Sequence, residues 1–247
     1  MSNDLVAYES QDRIARIEIR RPEKLNAIDE DVVQGLRAAF RRFNASDDRV
    51  GLVMAEGDRA FSVGADIKSP PRELWQGMPG LGEPVDKPLI AVVQGYCVGG
   101  AYILVQFCDL VVAADNTIFK YPEAQVGFTG GLIAACAMRI PHKIAMEFML
   151  LGQDLSAQRA YEVGMVNRVV PLGSQEEAAM GYAKILAQSA PLVLKTIKGF
   201  VNQTIPRSPS ELSALARREL LSVSTGEDAA EGRRAFAEKR SPDFKGR

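Results

Sequence analysis

The chain predicts an α/β fold, and three observations carry that prediction. Short, nearly continuous apolar runs stand at residues 50–54 (VGLVM), 89–93 (LIAVV) and 110–113 (LVVA), the length and character of strands buried on both faces. Segments with helical spacing alternate with the strands: Val32, Val33, Leu36, Phe40 and Phe43 before the first of these runs, and residues 101–107 between the second and third. Turns connect strand to helix, and that repeated strand, turn, helix order is the mark of an α/β core.

The elements follow in order. Residues 5–10 and 13–19 read as two short strands; RIARIEI (13–19) alternates apolar and polar, as a strand with one wet face does. Arg21-Pro22 ends the second. Asp29 is a good N-cap for the first helix. Residues 69–86 are rich in proline and glycine and hold the single tryptophan, Trp75; they read as a loop with one helical turn, close enough to Gly64 to act as a lid. After the 89–93 strand come a helix over 101–107 and strands at 110–113 and 117–119. From residue 132 the pattern is mostly helical, with helices at 145–151, 157–163, 176–190, 191–203, 209–222 and 226–238. This divides the chain into a core over 1–190 and a C-terminal helical region over 191–247. There is no internal repeat and no low-complexity segment.

Composition narrows the function classes. A chain of 247 residues, 47% hydrophobic and 25% charged, is long enough for one large domain with a sizeable core. A net charge of −1 gives no overall electrostatic case for nucleic acid or an anionic membrane. No apolar run approaches the ~20 residues that span a bilayer, and MSNDLVAYES lacks the basic and apolar regions of a secretory signal, so a cytoplasmic protein is expected. Cys97, Cys108 and Cys136 lie in apolar segments without metal spacing and read as buried thiols. His142 is the single histidine, which excludes mechanisms needing two in one chain and argues against a histidine-rich metal site. The dinucleotide GxGxxG, the phosphate loop GxxxxGK[ST] and the GxSxG elbow are all absent.

Chemistry concentrates in QGYCVGGAYILVQFCD, residues 94–109. Gly99-Gly100 stands where a helix begins. The first amides of a helix have no internal partner and carry the positive end of its dipole, and glycine admits close approach. Such a place suits a developing oxyanion; a close helix–strand contact is the alternative. A second segment, FSVGADIK (61–68), offers the Ala65 amide, or else a tight turn with Asp66 capping a helix. Glu123, in YPEA (121–124), has apolar flanks that would desolvate it, raise its pKa and suit it to proton transfer; equally, Pro-Glu starts helices. Lys24 and Lys68 stand on loops near the expected pocket and either meet phosphates or are solvated surface lysines. Tyr102 and Tyr121 offer hydroxyls but read as packed.

Taken together, RPEKLNA (21–27), FSVGADIK (61–68), KPLIAVVQGY (87–96) through Cys108-Asp109, Pro122-Glu123, AMEFMLLG (145–152), residues 157–166 and FAEKR (236–240) resemble the crotonase superfamily, the enoyl-CoA hydratases and isomerases. The resemblance covers essentially the whole chain. It implies a spiral of repeated ββα units, C-terminal helices that drive trimerisation, and trimers that pair into hexamers. It implies an acyl-CoA thioester as ligand, with coenzyme A part of the substrate and no separate cofactor or metal. By the same resemblance the amides of Ala65 and Gly100 form the oxyanion site and Glu123 is the catalytic carboxylate. Lys24, Leu25 and Ala27, with Ala65, Asp66, Ile67, Lys68 and Gly100, line the coenzyme. Lys239 resembles a tail lysine that meets the nucleotide phosphates of a neighbouring subunit.

The chain departs from the hydratase pattern in two places. Where a hydratase carries its first glutamate, on the helix after the glycines, this chain has Ile103. The loop GFTGGL (127–132) is shorter and lacks PGxGGTQR. An isoleucine cannot orient water. A single carboxylate suffices to move a proton between α and γ carbons, so enoyl isomerisation fits best, with hydration by Glu123 alone as runner-up and decarboxylation or other enolate chemistry as a third reading. The alternative of another class is a catalytically silent acyl-CoA-binding protein. Ile103, Phe128, Trp75, Met78 and Phe107 are candidates for an apolar acyl pocket.

Overall fold

Burial on two faces explains the central sheet. The computed structural model describes residues 5–247. The first hairpin is β1 (Val6–Gln11) and β2 (Ile14–Ile19), paired antiparallel with Val6 opposite Ile19. Then come α1 (Glu30–Ala45), β3 (Val50–Ala55), β4 (Ala60–Ser62), β5 (Leu89–Val93), β6 (Tyr96–Val98), α2 (Gly100–Gln106), β7 (Leu110–Ala114), β8 (Ile118–Lys120) and α3 (Glu123–Val126). The remainder is α4 (His142–Leu151), β9 (Leu155–Ser156), α5 (Ala157–Glu162), β10 (Arg168–Val170), α6 (Gln175–Gln188), α7 (Pro191–Thr204), α8 (Pro209–Thr225) and α9 (Glu227–Glu238). Six strands form one sheet in the order β1-β2-β3-β5-β7-β10, parallel from β2 onward. In β5, Leu89, Ala91 and Val93 face the core that holds α1 and α2, whereas Ile90 and Val92 face Ala179 and Ala183 of α6. Every residue of β5 is buried, which is why it reads as an unbroken apolar run.

Helix α1 seals the opposite face. Asp29 caps it, with Oδ1 accepting from the Val32 amide at 3.0 Å, worth about 1 kcal/mol. Val32, Val33, Leu36, Phe40 and Phe43 are fully buried, each contributing about 1.5–3 kcal/mol of transfer free energy.

A second sheet of four short strands, β4-β6-β8-β9, lies alongside the first. Three successive strand pairs, β3–β4, β5–β6 and β7–β8, each send the first strand into the large sheet and the second into the small one. The last two are followed by a helix, and the first by a 3₁₀ turn at Leu74–Gly77. This is the expected spiral of ββα units. The sequence reading did not include β4, β6, β9 or β10. Residues Leu132–Met138 form a 3₁₀ segment, and α4 starts at His142, three residues before the expected position. No helix among the described residues is long and apolar enough to cross a membrane.

Candidate active site

The small sheet positions the candidate residues. Strands β4, β6 and β8 are parallel neighbours, so their carboxyl ends lie side by side. Gly64-Ala65 follows the first, Gly99-Gly100 the second and Tyr121-Pro122-Glu123 the third. With strands about 4.8 Å apart, segments 35 and 23 residues apart in the chain become adjacent. The Gly99 amide donates to Lys120 O at 2.9 Å and locks the second segment to the third.

Glycine is required where these segments meet. Gly64 has φ +85°, and a β-carbon there would stand 2.6 Å from Val98 O and 3.1 Å from the Gly100 nitrogen. A β-carbon on Gly100 would be 3.6 Å from the Ala65 nitrogen. The amides of Ala65 and Gly100 therefore border one small space. Gly100 opens α2, so its N–H has no acceptor within the helix. Ala65 is bracketed by bonds from Ile28 N to Gly64 O (2.7 Å) and from Asp66 N to Ile28 O (2.9 Å), which leave its own N–H unpaired.

Glu123 presses on Gly99, the residue before Gly100. A β-carbon on Gly99, whose φ is +54°, would stand 2.6 Å from Glu123 Oε1. Glu123 Oε2 is buried with no hydrogen-bond partner. Burial raises the carboxyl pKa to about 7, against a smaller lowering by its own backbone amide. A carboxyl poised near neutrality can both take and return a proton. Glu123 also begins α3, with Pro122 at its N-cap, as the helix-starting reading of this pair expects. Tyr121 is packed, its hydroxyl 3.0 Å from Thr129 Oγ1, and burial pushes its pKa up to about 12. Tyr102 is packed against Phe119 and Phe148.

The two loops expected along the coenzyme run together. Val63 N donates to Leu25 O at 3.1 Å, and Ile28 and Ala65 form a bridge. Ala27 is buried, Leu25 is half-buried, and Lys24, Ile67 and Lys68 are exposed. No helix follows Asp66. Its Oδ1 accepts from the Lys68 amide at 3.0 Å and its Oδ2 from Arg21 Nη1 at 2.9 Å, and these bonds lower its pKa, the Lys68 amide foremost. Lys239 is exposed at the end of α9, with φ +54° and its amide bonded to Phe236 O. Of the pocket candidates, Ile103, Trp75 and Met78 are buried and Phe107 is half-buried, but Phe128 is 67% exposed.

Three contributors escaped the sequence reading as individual residues. Arg21 binds Asp66 (2.9 Å), Asp29 (3.1 Å) and Ala27 O (2.9 Å), tying both loops to the start of α1. Buried Asn26 accepts from the Arg21 amide and donates to Glu56 O and Ala60 O. Both lie in RPEKLNA, where Arg21 reads as part of a strand end and Asn26 only within a resemblance. Leu74 stands 3.0 Å from where a Gly100 β-carbon would be; inside a Pro- and Gly-rich loop, no periodicity marks it.

Comparison with known proteins places the chain in a family. The family model described as enoyl-CoA hydratase/isomerase matches residues 9–247. A carnitinyl-CoA dehydratase of Proteus mirabilis (strain HI4320) is 35% identical over 250 residues, 95% of each chain. Among solved structures, carnitinyl-CoA hydratase from Mycobacterium avium superposes with TM-score 0.77 at 30% identity, covering 98% of this chain and 99% of the other. Enoyl-CoA hydratase from Mycobacterium tuberculosis H37Rv gives 0.76 at 34%, with 98% and 99% covered.

Proposed function

The chain belongs to the enoyl-CoA hydratase/isomerase family, and from that premise we propose that it isomerises 3-enoyl-CoA to 2-enoyl-CoA with Glu123 as its sole carboxylate. Its enzymatic character and acyl-CoA chemistry are those of the family; the reaction and residue roles are our reading. The amides of Ala65 and Gly100 hold the thioester oxygen. Glu123 takes a proton from the α carbon, the C–H electron pair moves into the thioester as an enolate, and the amides bind the charge that develops. Glu123 then delivers the same proton to the γ carbon as the double bond shifts. The charge balances without water. Coenzyme A enters as part of the substrate, along the 24–27 and 65–68 loops, and no separate cofactor takes part.

The observation that carries this reading is the buried, unpartnered Glu123 Oε2 in a carboxyl pressed against Gly99, next to two unpaired amides. Ile103, buried on α2, supplies no second acid or base. One observation favours a second reading: the Proteus relative is a carnitinyl-CoA dehydratase. For dehydration, Glu123 would remove the α proton and return it to the departing β-hydroxyl. We further propose that the chain assembles as a trimer or a pair of trimers, and that Lys239 reaches a neighbour's coenzyme phosphates.

Ultraviolet absorbance of the conjugated enoyl thioester tests the reading. With 3-hexenoyl-CoA, absorbance rises if isomerisation occurs. With crotonyl-CoA, a fall means hydration. Tight binding of both thioesters with no change in either assay, and no effect of Glu123→Gln, sinks the catalytic reading and leaves a silent acyl-CoA-binding protein.

A further inference from the structure

Leu74 is held against Gly100 by residues that come from much later in the chain. Its Cδ2 atom stands 3.0 Å from the point a Gly100 β-carbon would occupy, and the Ala65 nitrogen is 3.6 Å from that same point. Leu74 opens the 3₁₀ turn Leu74–Gly77. One side of this turn rests on α1: a β-carbon on Gly77 would be 3.4 Å from Val33 Cα, and the Arg72 amide donates to Glu30 Oε2 at 2.9 Å. The other side is held from α8. Arg217 grips both carboxylate oxygens of Glu73, with Nη1 2.8 Å from Oε2. Trp75 Nε1 donates to that same Oε2 at 2.7 Å, and the Arg217 guanidinium lies 5.7 Å from the Trp75 ring centroid. Arg218 donates to Gly80 O and Leu81 O at 3.1 and 3.2 Å. Leu74 thus sits between two residues that one guanidinium fixes at once.

The Arg217 side chain is 51% exposed and that of Glu73 30%. An ion pair so open to water adds little to stability. A bidentate fork does fix direction, and the direction fixed here is that of the turn bearing Leu74.

Resting on the acyl-CoA reading above, we infer that Arg217 is a positioning residue that sets acyl selectivity through Leu74. An oxygen held by the two amides brings its carbonyl carbon, and the α carbon attached to it, beneath the Leu74 side chain. The sulfur side of that carbon is the same in every substrate; the acyl side varies. A wall at this point admits an unbranched α carbon and opposes one that carries a methyl group. A mismatch of one methyl in an apolar site discriminates by about 10- to 200-fold.

The experiment compares crotonyl-CoA with its 2-methyl counterpart, reading dissociation constants by calorimetry and kcat/KM where turnover occurs. Leu74→Ala is expected to shift the ratio toward the branched thioester by about tenfold or more. Arg217→Met, which keeps a long apolar side chain and loses the fork, is expected to shift it the same way, with Arg217→Lys in between. The double variant is expected to equal Leu74→Ala alone, because the two act on one element. A lower melting temperature, or equal weakening of both thioesters, is all that a merely structural Arg217 would produce, and that result overturns the inference. An unchanged ratio in Leu74→Ala does so too, as does an additive double variant. A wild-type chain that binds neither thioester would instead overturn the acyl-CoA reading itself, which keeps the two failures distinct.

Discussion

Glu123 is placed so that its own fold works against its charge. Its pKa in the folded chain is about 7, above the ordinary carboxylate range, because burial disfavours the ionised form. The folded state then holds a proton that the unfolded state releases, so this group lowers stability as pH rises from the ordinary range through about 7. Glu123→Gln removes the penalty. It is expected to melt above wild type near pH 8, with the difference closing below about pH 4, as differential scanning calorimetry across pH would read. In the same variant the rate falls by about 100- to 10,000-fold, the usual worth of a positioned acid/base. Wild-type kcat/KM, which needs the ionised base, should rise with pH to a half-maximum near 7. A profile flat from about pH 5 to 9 would remove Glu123 from the chemistry. Gly99→Ala probes the same carboxylate from the other side. Its φ of +54° strains any β-carbon, which would meet Glu123 Oε1 at 2.6 Å. The expected result is a folded protein less stable by about 1–3 kcal/mol, with kcat lowered because the carboxylate has moved; an unchanged kcat would separate this contact from function.

At the scale of elements, three-residue strands do the positioning, and this explains what was legible beforehand. β5 shows in the sequence because both of its faces are buried, and α1 shows because five buried side chains repeat at helical spacing above an N-cap. β4 and β6 have three residues each, too few for any periodicity, and exist through their pairing with each other and with β8. Gly64, Gly99 and Glu123 were legible as chemical types, but their meeting depends on a sheet of which only β8 was read. Asn26 illustrates the same limit: its spacing to Glu56 and Ala60 carries no pattern, yet its side chain joins the 21–27 loop to both. Asn26→Ala would leave Glu56 O, Ala60 O and the Arg21 amide without their partner. A loss of about 2–4 kcal/mol is expected in urea unfolding, since each orphaned group costs about 1–3 kcal/mol and water relieves part of it. Acyl-CoA affinity should weaken in parallel, because Arg21 and the 24–27 loop are released together; a loss below about 0.5 kcal/mol would show the bonds to be redundant.

At the scale of the whole molecule, the C-terminal helices present apolar side chains that their own chain leaves uncovered. Nothing in α7 is buried, yet Leu192, Val193, Ile197, Phe200 and Val201 repeat along one face, with Leu192 78% and Phe200 66% exposed. On α8, Leu220 and Val223 are 70% and 72% exposed. An amphipathic helix whose apolar stripe meets only water gains nothing from the pattern, and exposed apolar faces of this kind are what the proposed assembly would cover. The proposed trimer gives these faces a heterologous contact that closes on itself. Sedimentation equilibrium is expected to return three or six times the 26.9 kDa chain mass, and Ile197→Asp with Phe200→Asp to return the single chain; a monomeric wild type would remove the assembly. The same variant tests Lys239. If that lysine serves a neighbour's coenzyme, Lys239→Ala should weaken acyl-CoA binding several-fold in the assembled protein, at low ionic strength most of all. In the dissociated variant the same change should do nothing further, because the neighbour is already gone. An equal effect of Lys239→Ala in both backgrounds would place its action within its own chain and leave the interface without a part in the site.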